Sequence, residues 1–330
     1  MTNAFTELPP RGGSVHELST PDRQPDGERP SPALQVRGLT KTYSDRRVVN
    51  DVSFELERGE VFGFLGPNGS GKTTTMRMAL DLIKPDSGTV SIFGSAPSRR
   101  ALRRVGYLPE ERGLFQRARV LDVLRYIGRL KGLSASTAEE RASEMMSRVG
   151  LAEHLGARVQ GLSRGMAQLV QFAGALLHRP DLIILDEPFG GLDPLNVVLM
   201  KEIVREEQAR GAAVIFSTHI MSDVEELCER AVLISDGRML VYGPILEMKQ
   251  ARASRTITVV ADRHPGDVPG VDQVQSSDGH YSYRSRDDAS ADTVLRAFLD
   301  AGISVQRFEV ALPTLNEVFI EEVRRARRDR

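Results

Sequence analysis

Four short apolar runs punctuate the chain: Val61-Phe62-Gly63-Phe64-Leu65, Leu182-Ile183-Ile184-Leu185, Ala213-Val214-Ile215-Phe216-Ser217 and Ala231-Val232-Leu233-Ile234. Each is too short for a helix and is apolar on both faces, the mark of a strand buried in a parallel sheet. Between them lie stretches of helical period, notably Ser163 to Leu177 and Pro194 to Arg210, and a helix from about Lys72 to Leu82. Alternating patterns at Ala33 to Val36 and Val52 to Leu56 predict half-buried strands before the first run. Buried strands alternating with helices predict an α/β domain with a largely parallel sheet.

The pattern changes near Ala251. Thr256 to Val260 and Ser304 to Val310 read as strands, and His280 to Arg284 as an exposed strand after a loop rich in Asp, Gly and Pro. Ser290 to Ala301 reads as a helix, and Thr314-Leu315-Asn316-Glu317 as a capping box opening a last one. We expect residues 1–32, rich in Pro, Gly, Ser and charge, to be a disordered leader. Residues 33–252 are expected to form the α/β domain, and 253–330 a small α+β accessory domain with its C-terminal helix.

Composition adds little. The 330 residues are 40% hydrophobic and 27% charged, with net charge −1, so bulk charge argues for neither nucleic acid nor an anionic membrane. Cys228 is the single cysteine, which excludes an intrachain disulfide. No run approaches the roughly 18 apolar residues of a membrane span. His16, His154, His178, His264 and His280 sit in no metal-binding pattern.

The chemistry is concentrated elsewhere. Gly66-Pro67-Asn68-Gly69-Ser70-Gly71-Lys72-Thr73 fits G-x-x-x-x-G-K-[ST] in full, with a strand before it and a helix after it. Such a loop turns backbone N–H groups and a helix N-terminus toward phosphate. Lys72 is placed to reach the β- and γ-phosphates, and the Thr73 hydroxyl to ligate Mg²⁺. Asp186, at the carboxyl end of a buried strand, would hold the metal; Glu187, next to it, would orient and deprotonate water.

Taken in order, these motifs resemble the ATP-binding subunit of an ATP-binding cassette (ABC) transporter, over roughly Leu34 to Lys249. The resemblance implies a P-loop NTPase fold of the ABC type: a mixed sheet with helices, a helical subdomain at about 112–178, then the small α+β domain. It implies that Tyr43 stacks on adenine and that His219 is the switch histidine. Leu162-Ser163-Arg164-Gly165-Met166 stands at the signature, where Ser163 and Gly165 would contact the nucleotide of a second subunit, and Gly191-Leu192-Asp193 is the D-loop. Gly66 to Lys72, Thr73 and Thr74 would hold ATP, and Glu187, His219 and Lys72 would act in hydrolysis.

Two departures stand out. Arg164 and Met166 replace the usual signature glycine and glutamine, and an arginine there could add charge near phosphate. Glu110, in Leu108-Pro109-Glu110-Glu111-Arg112-Gly113, replaces the Q-loop glutamine as nucleotide and metal contact. That string resembles the branch serving ABC-2-type exporters. The implied partners are a second copy of the chain and a polytopic permease at the cytoplasmic face of the membrane. The alternative is an ABC ATPase acting on ribosomes or DNA. The chain lacks the second cassette, long coiled-coil insertion or basic patch expected of those relatives.

Overall fold

In a computed structural model the described residues are 31–111, 113–251, 256–266, 268, 271–277, 279–285 and 290–328. Most of the leader expected at 1–32, and His16 with it, lies outside them.

The chain begins with β1 (Leu34–Tyr43) and β2 (Arg46–Leu56), then the buried strand β3 (Val61–Leu65) and α1 (Lys72–Ala79). Next come β4 (Ser87–Ile92), α2 (Arg99–Leu102) and β5 (Val105–Leu108). Three helices intervene before the sheet resumes: α3 (Val120–Leu130), α4 (Ala135–Arg148) and α5 (Arg164–Leu176). The sheet continues through β6 (Leu182–Asp186), α6 (Pro194–Ala209), β7 (Ala213–Thr218), α7 (Met221–Leu227) and β8 (Arg230–Ser235). It closes with β9 (Arg238–Pro244) and α8 (Ile245–Gln250).

The central six-stranded sheet has the order β5-β6-β7-β3-β8-β9. Its first five strands are parallel and β9 pairs antiparallel with β8. Every residue of β3, β6 and β7 is buried, which explains their unbroken apolar character. The order brings the carboxyl ends of β3, β6 and β7 side by side, the place where open α/β sheets carry ligands. A three-stranded antiparallel sheet, β2-β1-β4, packs through Val36, Phe54 and Leu56 into the same core as Phe62 and Phe64 of β3. Ring contacts between Phe54 and both phenylalanines, with centroids 5.8 and 5.3 Å away, join the two sheets.

Beyond α8 lie β10 (Thr256–Ala261), β11 (Val271–Ser277), β12 (His280–Ser285), α9 (Ser290–Asp300), β13 (Val305–Ala311) and α10 (Leu315–Arg328). The strands form an antiparallel sheet, β11-β12-β10-β13, with a core of its own around Ile257, Val259, Tyr283, Val294 and Phe298.

Three expectations change here. Residues 271–277, expected in a loop, are a strand. β12 is exposed on one face only: it lies between β11 and β10, His280 is exposed, and Tyr281 and Tyr283 are buried against Phe298. The last helix, expected with the accessory domain, packs on the first domain, against α7, α8 and β9. Leu315 is fully buried in the main core, and its N–H donates to Glu225 Oε1 of α7 at 2.6 Å. Glu225 also pairs with Lys249 of α8 at 3.2 Å, so one carboxylate ties three helices. The capping box itself forms: Glu317 N donates to Thr314 Oγ1 and Thr314 N to Glu317 Oε2.

Candidate nucleotide site

The loop Gly66–Thr73 follows β3 and turns into α1. Its glycines are required locally. Gly71 caps the helix at φ 103°, and a Cβ there would lie 2.5 Å from Val48 O. A Cβ on Gly66 would lie 2.4 Å from Ile234 O. The loop is pinned at three points: Gly66 N donates to Thr218 O, Ser70 N to Pro67 O, and Gly237 N to Ser70 O. It therefore presents a preformed curl at the positive end of α1.

Lys72 is buried, and its ammonium donates to Gly66 O at 2.8 Å and Pro67 O at 3.3 Å. It also pairs with Glu187 Oε1 at 3.2 Å, while Glu187 Oε2 meets His219 Nδ1 at 3.0 Å. A lysine opening α1 and a glutamate and a histidine just past β6 and β7 thus form one line. Glu187 sits at φ 48°, a left-handed backbone that a side-chain-bearing residue adopts only when its surroundings impose it. Here they do: Glu187 N donates to both the backbone and the hydroxyl oxygen of Ser217, on the neighbouring β7.

The Ser217 hydroxyl in turn donates to Asp186 Oδ1. Asp186 is wholly buried, and burial raises its pKa above the usual carboxylate value, against the opposing pull of the Ser217 hydrogen bond and the nearby Thr73 hydroxyl. Its Oδ2 has no partner. Thr73 Oγ1 lies 3.3 Å from Glu110 Oε2. An orphaned carboxylate oxygen, a threonine hydroxyl and a second carboxylate are hard donors suited to Mg²⁺. Among the described residues no three His, Cys, Asp or Glu side chains cluster as a metal cage.

The structure therefore joins Lys72, Thr73, Glu110, Asp186, Glu187 and His219. Tyr43 stands exposed at the end of β1, with the Lys41 ammonium 5.7 Å from its ring centroid. Ser163, Gly165 and Asp193 form a different patch. Ser163 caps α5 by accepting from Met166 N at 3.2 Å, as its position predicts. Asp193 caps α6 by accepting from Asn196 N at 3.1 Å, a bond that lowers its pKa. Arg164 lies along Gly191 of its own chain: a Cβ on Gly191 would be 3.3 Å from Arg164 Nε. Among the described residues, no hydrogen bond of Ser163, Gly165 or Asp193 reaches the P-loop.

Sequence reasoning missed Ser217, whose pairing with Asp186 across β6 and β7 is set by strand register. It also missed Gln168 and Gln171, two polar residues on the apolar face of α5. Their signal was the polarity itself, one turn apart in a buried helix.

Comparison with known proteins agrees with this geometry. The profile of the family described as "ABC transporter" matches residues 49–190. A second, "ATP-binding protein DrrA1-3-like, C-terminal domain", matches residues 243–323. The ABC transporter ATP-binding protein YhaQ of Bacillus subtilis is 36% identical over 88% of this chain and 98% of its own length. The Nod factor export ATP-binding protein I of Burkholderia lata is 40% identical over 65% of this chain and 71% of its own. A solved ATP-binding subunit of an ABC transporter superposes with a TM-score of 0.63 at 32% identity, covering 66% of this chain and 92% of its own.

Proposed function

Since this chain belongs to the ATP-binding proteins of ABC transporters and is an ATPase of that family, we propose that it is the motor subunit of an exporter, working as a pair of copies beneath a separate membrane permease. The observation that carries the reading is the line Lys72–Glu187–His219 at the mouth of the P-loop.

ATP would enter with its β- and γ-phosphates in the curl of Gly66 to Thr73, beside Thr74, and its adenine toward Tyr43. Its phosphate oxygens would replace Glu187 as counter-ion to Lys72. Glu187 is then freed to accept a proton from a water as that water's oxygen bonds to the γ-phosphorus. The bond from that phosphorus to the bridging oxygen breaks, and ADP and phosphate leave. His219, held by the far oxygen of Glu187, would aim its other ring nitrogen at the γ-phosphate. Thr73, Asp186 and Glu110 would hold Mg²⁺, which neutralises charge on the phosphates.

The patch of Ser163, Gly165 and Asp193 is the surface a second copy would offer to the phosphates bound in the first. A cap serine followed by free N–H groups suits a γ-phosphate. Among the described residues no helix is long and apolar enough to cross a membrane, and the permease would supply the path through it. Exposed Phe115 and Tyr126, edge to face at 5.8 Å beside α3, offer an aromatic surface for such a chain. Relatives named for Nod factor export and lipopolysaccharide export favour export.

Glu187→Gln tests the mechanism: the variant should bind ATP, stall turnover and accumulate a dimer on gel filtration. Unchanged hydrolysis would remove Glu187 as the base. Purification of the tagged chain from detergent-solubilised membranes should bring down a polytopic protein, and salt-resistant binding to ribosomes or DNA in its place would contradict the exporter role.

A further inference from the structure

Glu110 occupies an awkward position. It is exposed on a bend just past β5, yet its carboxylate must sit within reach of Thr73. A carboxylate on an exposed bend needs something else to fix it. That grip comes from α5, whose residues Ala167 to Leu176 are all buried. Gln171 Nε2 donates to Pro109 O at 3.4 Å and to Glu111 O at 3.3 Å, the carbonyls on either side of Glu110. Both N–H bonds of the amide face the loop, so the side chain holds Glu110's backbone from both flanks.

The amide is spent on this task at a cost to itself. Its Oε1 is buried and has no partner. A helix built only for packing would carry an apolar residue here, since replacing the amide would remove an unsatisfied acceptor. One turn earlier, Gln168 Nε2 donates to Pro188 O at 3.2 Å, beside Glu187. A single helix, capped by Ser163, thus touches the backbone next to two of the site carboxylates, Glu110 and Glu187.

We propose that Gln171 is a positioning residue for the ATPase reaction: it sets Glu110 against Thr73 by clamping the carbonyls of Pro109 and Glu111. The proposal rests on the place given to Glu110 in the nucleotide site. It predicts that turnover, rather than substrate capture, depends on Gln171.

The test is a double-mutant cycle on the full-length chain, reading kcat and KM for ATP. Gln171→Met keeps the volume and removes the donors. It should lower kcat about tenfold, the usual scale for losing an outer-shell orienting partner, with KM nearly unchanged. Glu110→Ala should lower kcat at least as far, and the double variant no further than Glu110→Ala alone. Gln171→Asn keeps an amide in the buried site but falls one methylene short of the carbonyls. It should match Gln171→Met and carries the cycle if that variant fails to fold. Wild-type kcat in either Gln171 variant overturns the proposal. So does a double variant whose losses multiply, because Gln171 would then act as a packing element independent of Glu110. Wild-type kcat in Glu110→Ala would sink the placement of Glu110 and the clamp with it, while the Glu187→Gln experiment would still judge the ATPase mechanism separately.

Discussion

Asp186 sits where almost no water can reach it. Burial raises its pKa, so the nucleotide-free protein gains from proton binding at this group. The sign follows: the contribution to stability is full below the ordinary carboxylate pKa and is lost as pH rises through the raised value. At neutral pH the free protein bears that cost, and a bound cation would relieve it. Asp186→Asn should therefore raise the melting temperature of the nucleotide-free, metal-free protein at pH 7 by about 2 °C while abolishing most hydrolysis. Calorimetry at pH 7 and pH 4 checks this, since the gain should shrink in acid; a lower melting temperature at pH 7 would refute it. His178 has the opposite sign. Burial first, and then the Lys131 charge, lower its pKa from 6.5 to about 4, with Arg141 opposing and Asp181 favouring the charged form; Nε2 lies 3.1 Å from Val105 O. The stability it supports is intact above pH 6.5 and lost as pH falls toward about 4. His178→Gln, which can keep a donor to Val105 O, should flatten the acid limb of denaturant melts in that window. At this scale the P-loop, Asp186 and Glu187 were legible in the chain because their spacing is local. Ser217 was not, because its partner lies 31 residues away and only register joins them.

Among the elements, the strands of the main sheet announced themselves by being apolar throughout. β11 did not: Val271 to Ser277 has only two apolar residues in seven, and its pairing with β12 lies outside any local pattern. The tyrosines of β12 read as half-exposed because Tyr has a polar tip, yet the Tyr283 hydroxyl meets His264 Nε2 at 2.9 Å inside the small core. The last helix is the instructive case. Its cap was visible, but a cap does not name what the helix will cover. Because Leu315 is buried against the first domain, Leu315→Ala should cost about 2–5 kcal/mol. The loss should appear in the melting transition that ATP protects. A drop confined to a separate transition, insensitive to ATP, would place α10 with the small sheet instead.

The whole molecule offers half of each proposed reaction centre, with the P-loop on one patch and Ser163 on another. If ATP bridges two copies, its stabilisation must depend on protein concentration as well as nucleotide. Saturation at a hundred times Kd contributes about 2.7 kcal/mol within one chain. For Glu187→Gln with ATP, the melting temperature should climb further as the protein is concentrated. A concentration-independent melting temperature would mean that nucleotide closes no dimer. A second property of the whole concerns the small sheet. The chain leaves the first domain after α8, builds β10 to β13, and comes back at Leu315 to be clasped through Glu225. A body hung from one thread can spin and wander; one tied at both ends keeps its heading and can only rock about the line between the knots. The small sheet is a rudder fixed to the hull, and its second knot is α7, the helix that starts two residues past His219.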